Sequence, residues 1–368
     1  MSDPTTIPIR HVSELTSLNS SGIRGPIEPP SYNILVPIPG DADIDYDRFN
    51  IPRLLRTPLA VAADHDGTVT IANILTVPSD VDYDELKDTD GGSGIMNSVV
   101  RTAQEQVSFI LDVTENPDED ITVNGFVGVV EVPEAAFVEF TTSEYYDAIY
   151  LAQYDSNRLH LWDEPMISSA LDNTTSAVYV ENIGSDTELR IEESDGQVVP
   201  DGHSSSEPIT DILLAVGTGP HSVLAAETAR ALAHASGASV HALHLFPSTD
   251  DGTSRQKGKN ALSLAEYVLS NLSTIESEAR ESEDIVAELL TEIEQYDVAI
   301  IGAPTKQPLL GRLFERSPSN ELKSQSTTSV ITVRQPKDAM KSVYYRWKRA
   351  VERTPGVDVS SDEEGTNV

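Results

Sequence analysis

Short apolar runs alternate with segments of helical periodicity along most of this chain. The clearest helical segment is Ile95–Val113, in which Val99, Ala103 and Val107 recur at helical spacing. Alternation of this kind is typical of a parallel sheet whose faces are covered by helices. We therefore predict an α/β protein.

Each half of the chain is predicted to contain five strands and four helices. The strands of the first half are Asn33–Pro37, Thr68–Leu75, Ile121–Val130, Ala148–Gln153 and Ala177–Glu181. Its helices are Leu54–Ala63, Ile95–Val113, Ala135–Ser143 and a short one near Pro165–Leu171. The strands of the second half are Asp211–Val216, Ser239–Leu245, Thr274–Ala279, Val298–Gly302 and Ser329–Val333. Its helices are Ser222–Ser236, Ala261–Leu272, Ile285–Gln295 and Ser319–Ser324.

A polar segment over residues 184–208 separates the two halves. It holds seven Asp and Glu residues among clustered Gly, Ser and Pro, a composition typical of a linker. We therefore predict one domain over residues 32–183 and a second over 209–335. The segments outside them are a disordered arm over 1–31, a basic helix over 336–353 and a disordered tail over 354–368.

Two short matches indicate that the two halves are copies of one unit. Tyr146-Asp-Ala-Ile recurs as Tyr296-Asp-Val-Ala, and Thr174-Thr-Ser recurs as Thr327-Thr-Ser. The second match makes Ser176 of the first half the counterpart of Ser329 in the second half. Both matches occur in the same order, at nearly the same offset and at equivalent places in the strand count. We therefore predict a tandem duplication of a five-stranded α/β unit.

The second half, over residues 209–335, resembles the universal stress protein (UspA) family, and residues 32–182 resemble it more weakly. The motifs that carry the resemblance are Asp211-Ile-Leu-Leu-Ala-Val216, a helix over Val223–Ala235, Val240-His-Ala-Leu-His-Leu245, Tyr296-Asp-Val-Ala-Ile-Ile-Gly302-Ala-Pro and Ser329-Val-Ile-Thr-Val333. The chain is similar in particular to the tandem UspA-like regions that follow amino-acid transporter domains in salt-loving archaea.

This resemblance implies two adenine nucleotide alpha hydrolase-like domains, each with a five-stranded parallel sheet. Units of the family commonly pair through their last strands, which here are Ala177–Glu181 and Ser329–Val333. A tandem chain can make that pairing within one molecule, so that the two edge strands cover each other. The expected arrangement is an internal pseudo-dimer, and a further homodimer stays open.

Family members that bind ATP carry a glycine motif after the fourth strand, in the order Gly, two residues, Gly, nine residues, Gly, then Ser or Thr. Gly302 matches the first position, but Thr305 stands at the second glycine. Glu315 and Arg316 stand where the final Gly and Ser belong. Because a carboxylate close to a triphosphate is repulsive, the motif is broken there.

A shifted register that uses Gly311 and Ser317 offers a partial substitute for the broken motif. In the first half, the stretch Tyr154–Met166 holds no glycine, so no phosphate cradle is expected there. We therefore expect no cofactor, with binding of ATP or AMP in the second domain as the alternative.

One loop of the second half has the character of an anion site. Gly217, Gly219 and Ser222 lie between a strand and a helix, where backbone N–H groups at a helix N-terminus favour anions. The alternative is an ordinary loop in which Ser222 is the N-cap. If a small anion or a nucleotide binds, we expect it at this loop together with Gly302, since ligands of open α/β sheets lie at the carboxyl ends of strands.

Charge and composition exclude several functions. The chain has 60 Asp and Glu residues against 25 Lys and Arg, a net charge of −35, which repels nucleic acid and suits a salt-rich cytoplasm. It has no Cys, and no nucleophile elbow or phosphate-binding lysine motif. His241 and His244 are predicted to face opposite sides of a strand, which prevents shared metal binding. No enzyme activity and no metal site are expected, nor a membrane span or a secretory signal.

Residues 334–353 reverse the acidic pattern, with seven basic residues against two acidic ones. Met340, Val343, Tyr344 and Trp347 recur at helical spacing beside these bases. Such a helix would dock on an anionic membrane face or a partner, or would pack on the acidic body of the same protein.

The leading interpretation is a non-catalytic, cytoplasmic, stress-related regulatory protein that binds a protein partner, for example a membrane transporter. The alternative is an ATP- or AMP-binding stress sensor.

Overall fold

The computed structural model describes residues 5–7, 32–40, 51–77, 95–114, 121–130, 145–153, 175–183, 208–248, 252–303 and 328–335. These ranges contain eleven strands and five helices, which confirms the α/β prediction. The strands are β1 (Thr5–Ile7), β2 (Asn33–Pro39), β3 (Thr68–Thr76), β4 (Thr122–Val130), β5 (Ala148–Gln153), β6 (Ala177–Asn182), β7 (Asp211–Ala215), β8 (Ser239–Pro247), β9 (Ile275–Ser282), β10 (Val298–Gly302) and β11 (Ser329–Arg334). The helices are α1 (Ile51–Asp64), α2 (Ile95–Thr114), α3 (Ser222–Ser236), α4 (Thr253–Val268) and α5 (Ile285–Ile293).

All eleven strands form one sheet in the order β1-β4-β3-β2-β5-β6-β11-β10-β7-β8-β9. Strands β2 to β6 form one parallel half and strands β7 to β11 form the other. The halves meet where β6 pairs antiparallel with β11, with Val180 opposite Thr332. This confirms the expectation that the two last strands cover each other. We call this junction the seam.

The duplication is visible in matching hydrogen bonds at the start of each half. The backbone N–H of Asn33 donates to the carboxylate of Asp147 over 3.0 Å. The backbone N–H of Asp211 donates to the carboxylate of Asp297 over 3.1 Å. Each Asp belongs to one of the two repeated Tyr-Asp motifs. The repeated carboxylate therefore holds the first residue of β2 in one half and of β7 in the other.

The last strands of the two halves correspond with a shift of one residue from the sequence prediction. The hydroxyl of Ser176 donates to the carbonyl of Tyr146, and the hydroxyl of Thr328 donates to the carbonyl of Tyr296. Ser176 therefore corresponds to Thr328, and its predicted match with Ser329 is wrong. Either hydroxyl can make this bond, so repeated letters alone do not define the register.

Two apolar layers cover the sheet. One continuous core runs under α1 to α4 and crosses the seam, with Leu54, Val107, Leu232 and Leu262 among its buried side chains. Helices α1 and α3 pack against each other within it. The other face carries a smaller cluster in which α5 packs on β7, β8 and β10.

Most element bounds agree with the sequence predictions within two residues, and β5, α3 and β10 agree at both ends. Helix α3 stops at Gly237, whose φ of 76° suits a glycine C-cap. Helix α1 begins at Ile51, three residues before the predicted start, because Pro52 is tolerated in a first turn. Helix α4 begins at Thr253, eight residues before the predicted start, since its first two turns lack apolar periodicity.

Strand β1 pairs antiparallel with β4, from Thr5 opposite Val129 to Ile7 opposite Val127. These three residues belong to the arm that was expected to be disordered, and at them the expectation is wrong. Other predictions lie outside the described residues. They are the helices Ala135–Ser143, Pro165–Leu171 and Ser319–Ser324, the linker up to residue 207, and the segments 336–353 and 354–368. The domain limits remain predictions.

Candidate functional site

The predicted anion loop lies at the carboxyl end of the second half. Strand β7 ends at Ala215, and the chain reaches α3 through Val216 to His221. Val216 extends the strand pairing by donating its N–H to the carbonyl of Leu243 over 2.8 Å. The ends of β7, β8 and β10 therefore meet at this loop, as the parallel order requires.

The structure brings Gly302 and the loop together through His221. A Cβ placed on Gly302 would lie 3.2 Å from the Cβ and the backbone carbon of His221. The backbone N–H of Gln335, just after β11, donates to Nδ1 of His221 over 3.1 Å. His221 therefore lies against the ends of both β10 and β11. The space that Gly302 leaves is filled by the protein's own chain.

The imidazole of His221 is held in one neutral form. Because Nδ1 accepts a hydrogen bond, the ring proton of the neutral imidazole is on Nε2. Burial lowers the pKa of His221, and the positive charge of Arg334 lowers it further. A neutral ring attracts a phosphate less than an imidazolium does, so His221 contributes little charge to anion binding.

Ser222 has a different role from the predicted N-cap. It is the first residue of α3, and its hydroxyl donates to the carbonyl of Gly217 over 2.7 Å. His221 is the N-cap residue, and within the described residues its side chain makes no capping hydrogen bond. The Ser222 hydroxyl therefore closes the loop on itself. Its proton is not available to a phosphate in this conformation.

The two loop glycines are not required by backbone conformation. Within the described residues, the glycines with positive φ are Gly237 and Gly252. At Gly217 an added Cβ would meet the Ser222 hydroxyl at 3.5 Å, whereas at Gly219 it would meet nothing within 4 Å. The space beside Gly219 is the open part of this loop.

His244 supports the loop from beneath. It is 6% exposed, and its Nδ1–H donates to the carbonyl of Val216 over 2.7 Å. Helix α4 passes so close that a Cβ on Gly258 would lie 2.0 Å from Cδ2 of the His244 ring. His244 therefore positions the start of the loop, and Gly258 makes room for it.

His241 lies on the other face of β8, so the prediction of opposite faces is confirmed. Its Nδ1 hydrogen-bonds to the hydroxyl of Tyr296, and its Nε2 lies 3.6 Å from the carboxylate of Glu278. Arg280 joins this group through 2.6 Å to Glu278 and 2.7 Å to Glu292. The bond from Arg280 is the main cause of the lowered pKa of Glu278. These pairs tie α5 to the sheet.

The equivalent place in the first half is closed by the sheet itself. Strand β2 runs two residues longer than β7, and Gly40 N then donates to the carbonyl of Ile74 over 2.7 Å. A Cβ on Gly40 would lie 2.3 Å from Oδ1 of the buried Asn73. The stretch Tyr154–Met166, on which the expectation of no phosphate cradle rests, lies outside the described residues, so that expectation stays a prediction.

Three predicted site residues, Thr305, Gly311 and Ser317, lie outside the described residues. Sequence reasoning missed His221, although it precedes Ser222 directly. The only available signal was its position between a proline and the helix start. In the part of the chain that the structure describes, no cluster of His, Asp and Glu is suited to a metal ion. No helix in the same ranges is long and apolar enough to cross a membrane.

No protein-family model and no curated protein matches the chain. Universal stress proteins are among the solved structures that are similar to it. One from Archaeoglobus fulgidus is 15% identical, with 85% of this chain and 100% of that chain covered and a TM-score of 0.47. The cytoplasmic domain of a prokaryotic cation chloride cotransporter is 13% identical, with 84% and 99% covered and a TM-score of 0.44. A universal stress protein in complex with cAMP is 16% identical, with 33% and 97% covered and a TM-score of 0.24. Such distant similarities assign no ligand and no activity to this chain.

Proposed function

We propose that this chain is a non-catalytic regulatory protein of the universal stress protein type, which acts by binding a protein partner. In this proposal the nucleotide site of the second domain is degenerate. The sequence resemblance makes a membrane transporter one candidate for the partner.

The contact of His221 with Gly302 is the observation that carries this proposal. In a phosphate cradle, a glycine at a strand end leaves room for the ligand and exposes backbone N–H groups to it. Here that room holds His221, and the nearby N–H of Gln335 is already bonded to the His221 ring. The Ser222 hydroxyl is bonded to Gly217 as well. The groups that would bind a nucleotide are thus used within the protein.

The alternative function is an ATP- or AMP-binding stress sensor that uses the second domain. The open space beside Gly219 and the uncapped start of α3 favour it. A ligand would have to displace the backbone and Cβ of His221 to reach Gly302. The proposed function and the alternative therefore differ in what they predict for wild-type protein exposed to nucleotides.

Thermal unfolding in about 2 M KCl separates the two functions, because a ligand at 100 times its Kd adds about 2.7 kcal/mol of stability. We expect no shift of Tm for wild type with millimolar ATP, AMP or cAMP. A clear shift would overturn the degenerate site and establish the sensor. The variants His221→Gly, which removes the Cβ beside Gly302, and Glu315→Gly with Arg316→Ser are measured in parallel. A shift confined to a variant would identify the side chain that blocks the site.

Partner binding is tested with the full chain and a chain that ends at Gln335, both immobilised. We expect a transporter fragment or another protein to be retained by the full chain and lost with the basic segment. Equal retention by the two chains would contradict a role for residues 336–353. No retention by either chain would contradict the partner-binding function itself.

A further inference from the structure

The outer face of α4 carries an exposed apolar pair. Leu264 is 48% exposed and Tyr267 is 77% exposed, and the two are neighbours on the helix surface because they are three residues apart. Among the described residues, the other large apolar side chain with comparable exposure is Tyr145, which is 79% exposed in the first half. Two such side chains together make a better contact surface than scattered single ones.

The apolar pair is part of a longer uncharged stripe. Gln256, Asn260, Leu264, Tyr267 and Asn271 recur at helical spacing, and all five are exposed. We call them the α4 stripe. On a chain with a net charge of −35, an exposed strip without any charge is unusual. Depletion of charge and enrichment in tyrosine are features of the centre of protein interfaces.

The charges that flank the stripe are divided along the helix. The first part of α4 carries Arg255, Lys257 and Lys259 and no acidic residue, and its last part carries Glu266 and no basic residue. A helix is stabilised by acidic residues at its N-terminus and basic ones at its C-terminus. The order within α4 is the reverse, so the helix dipole gains nothing from these charges, although Arg255 pairs with Glu281 and Glu266 accepts a hydrogen bond from Ser277 within the same chain.

We propose that the α4 stripe binds the α4 stripe of a second copy of this chain, with the two helices antiparallel. A two-fold axis near Leu264 brings the apolar pairs together at the centre. It also places Lys257 and Lys259 near the end of the other helix, where Glu266 of the partner subunit and the negative end of the helix dipole lie. Such an arrangement is self-complementary, and the divided charges are explained by it.

The expected association is weak. The part of the stripe within the helix, from Gln256 to Tyr267, spans about 16 Å at 1.5 Å per residue. A single helix face buries less than the roughly 1,200–2,000 Å² of stable complexes. Two chains of charge −35 also repel each other, although molar salt screens that repulsion at distances beyond roughly 3 Å. A dimer in fast exchange with monomer at high salt is therefore expected.

Sedimentation equilibrium of the full chain in about 2 M KCl, from micromolar to submillimolar concentration, tests the surface. We expect a monomer–dimer equilibrium for wild type and at least a tenfold weaker dimer for Leu264→Ser with Tyr267→Ser. The control Tyr145→Ser removes an equally exposed tyrosine and should leave the dimer unchanged. Wild type that stays monomeric would overturn the proposal, as would equal weakening by the control.

A charge exchange tests the antiparallel geometry. One variant carries Lys257→Glu with Lys259→Glu, and the other carries Glu266→Lys. Each variant alone should dimerise less than wild type, because like charges then meet at both ends. An equimolar mixture should form a heterodimer at least tenfold tighter than either homodimer. Circular dichroism verifies that both variants fold, and a mixture that associates no better than its components would overturn the geometry.

Discussion

Glu181 is a fully buried carboxylate on β6, and its removal gives the sharpest prediction for the seam. Its Oε2 accepts hydrogen bonds from the hydroxyl of Thr57 at 2.5 Å and of Tyr150 at 2.9 Å. Its Oε1 lies 3.6 Å from the guanidinium of Arg56, which also donates to the hydroxyl of Ser329 on β11. The carboxylate therefore gathers α1, β5 and β6 at the junction of the halves.

The second half shows how the same place is built without a charge. Pairing of the strands makes Ile300 the counterpart of Tyr150, and Val333 the counterpart of Glu181. The matching burial of α1 and α3 makes Thr228 the counterpart of Thr57. Thr228 donates to the carbonyl of Leu224, one turn earlier. The second half therefore has apolar side chains, Val333 and Ile300, at the positions that Glu181 and Tyr150 occupy in the first half.

We expect Glu181→Val to lower the free energy of unfolding by about 2 kcal/mol. Thr57 can turn to a carbonyl of its own helix, as Thr228 does, so its hydroxyl keeps a partner. Tyr150 loses the carboxylate to which it donates, and loss of the partner of a buried hydroxyl costs about 1–3 kcal/mol. Arg56 is 17% exposed and still reaches Ser329, so its share is smaller.

The second change, Tyr150→Phe in the Glu181→Val background, should restore most of the loss. Replacing both partners of a buried polar contact by apolar groups is often nearly neutral, at about 1 kcal/mol or less. The cycle consists of wild type, Glu181→Val, Tyr150→Phe and the double variant. Urea unfolding at fixed KCl, followed by circular dichroism, measures the free energy of unfolding of each at constant m. Glu181→Val as stable as wild type would refute the reasoning, and so would a double variant no more stable than Glu181→Val.

Three further predictions concern single sites. Gly258→Ala should destabilise by about 1–3 kcal/mol in urea unfolding, because the added methyl overlaps the buried ring of His244. Asp64→Ala should cost about 2 kcal/mol in the same assay, since Arg230 makes bonds of 2.6 and 3.1 Å to that carboxylate across the two halves. His221→Asn should flatten the pH dependence of stability between neutral and mildly acidic pH. Its pKa is lowered on folding, so wild type is fully stable above the unfolded pKa of about 6.5 and loses stability as pH falls from there towards the folded pKa.

Controls for these variants lie on exposed parts of the same protein. Gly219→Ala has open space and should change stability by less than about 1 kcal/mol. Arg101→Ala removes an ion pair with Glu105 in which both side chains are at least 70% exposed, and should cost less than about 0.5 kcal/mol. A loss at Gly219→Ala equal to that at Gly258→Ala would contradict the packing argument. Arg101→Ala as costly as Asp64→Ala would contradict the role of burial, and an unchanged pH profile for His221→Asn would contradict its assignment.

Features of the fold that depend on neighbours in the sequence were predictable. Apolar runs and their spacing were enough to locate β5, α3 and β10, because burial of one face imposes a period on consecutive residues. The repeated Tyr-Asp motifs also indicated the duplication, since each Asp bonds the backbone at the start of its own half. Helix α4 shows the limit of this reasoning. The first two turns of α4 have no apolar residues at helical spacing. They are nevertheless helical, and Gly258 in them packs against His244.

The tertiary structure decided which groups meet across long separations. Nothing local to His221 shows that its ring accepts a hydrogen bond from Gln335, which is 114 residues away. Nor does the local sequence show that the backbone and Cβ of His221 lie beside Gly302. The partners of Glu181 are 31 and 124 residues away, and the correspondence between the last strands of the two halves differs by one residue from the match of letters. Local periodicity is encoded by consecutive side chains. Contacts between strand ends depend on how the whole sheet is ordered, and that order appears only in the folded chain.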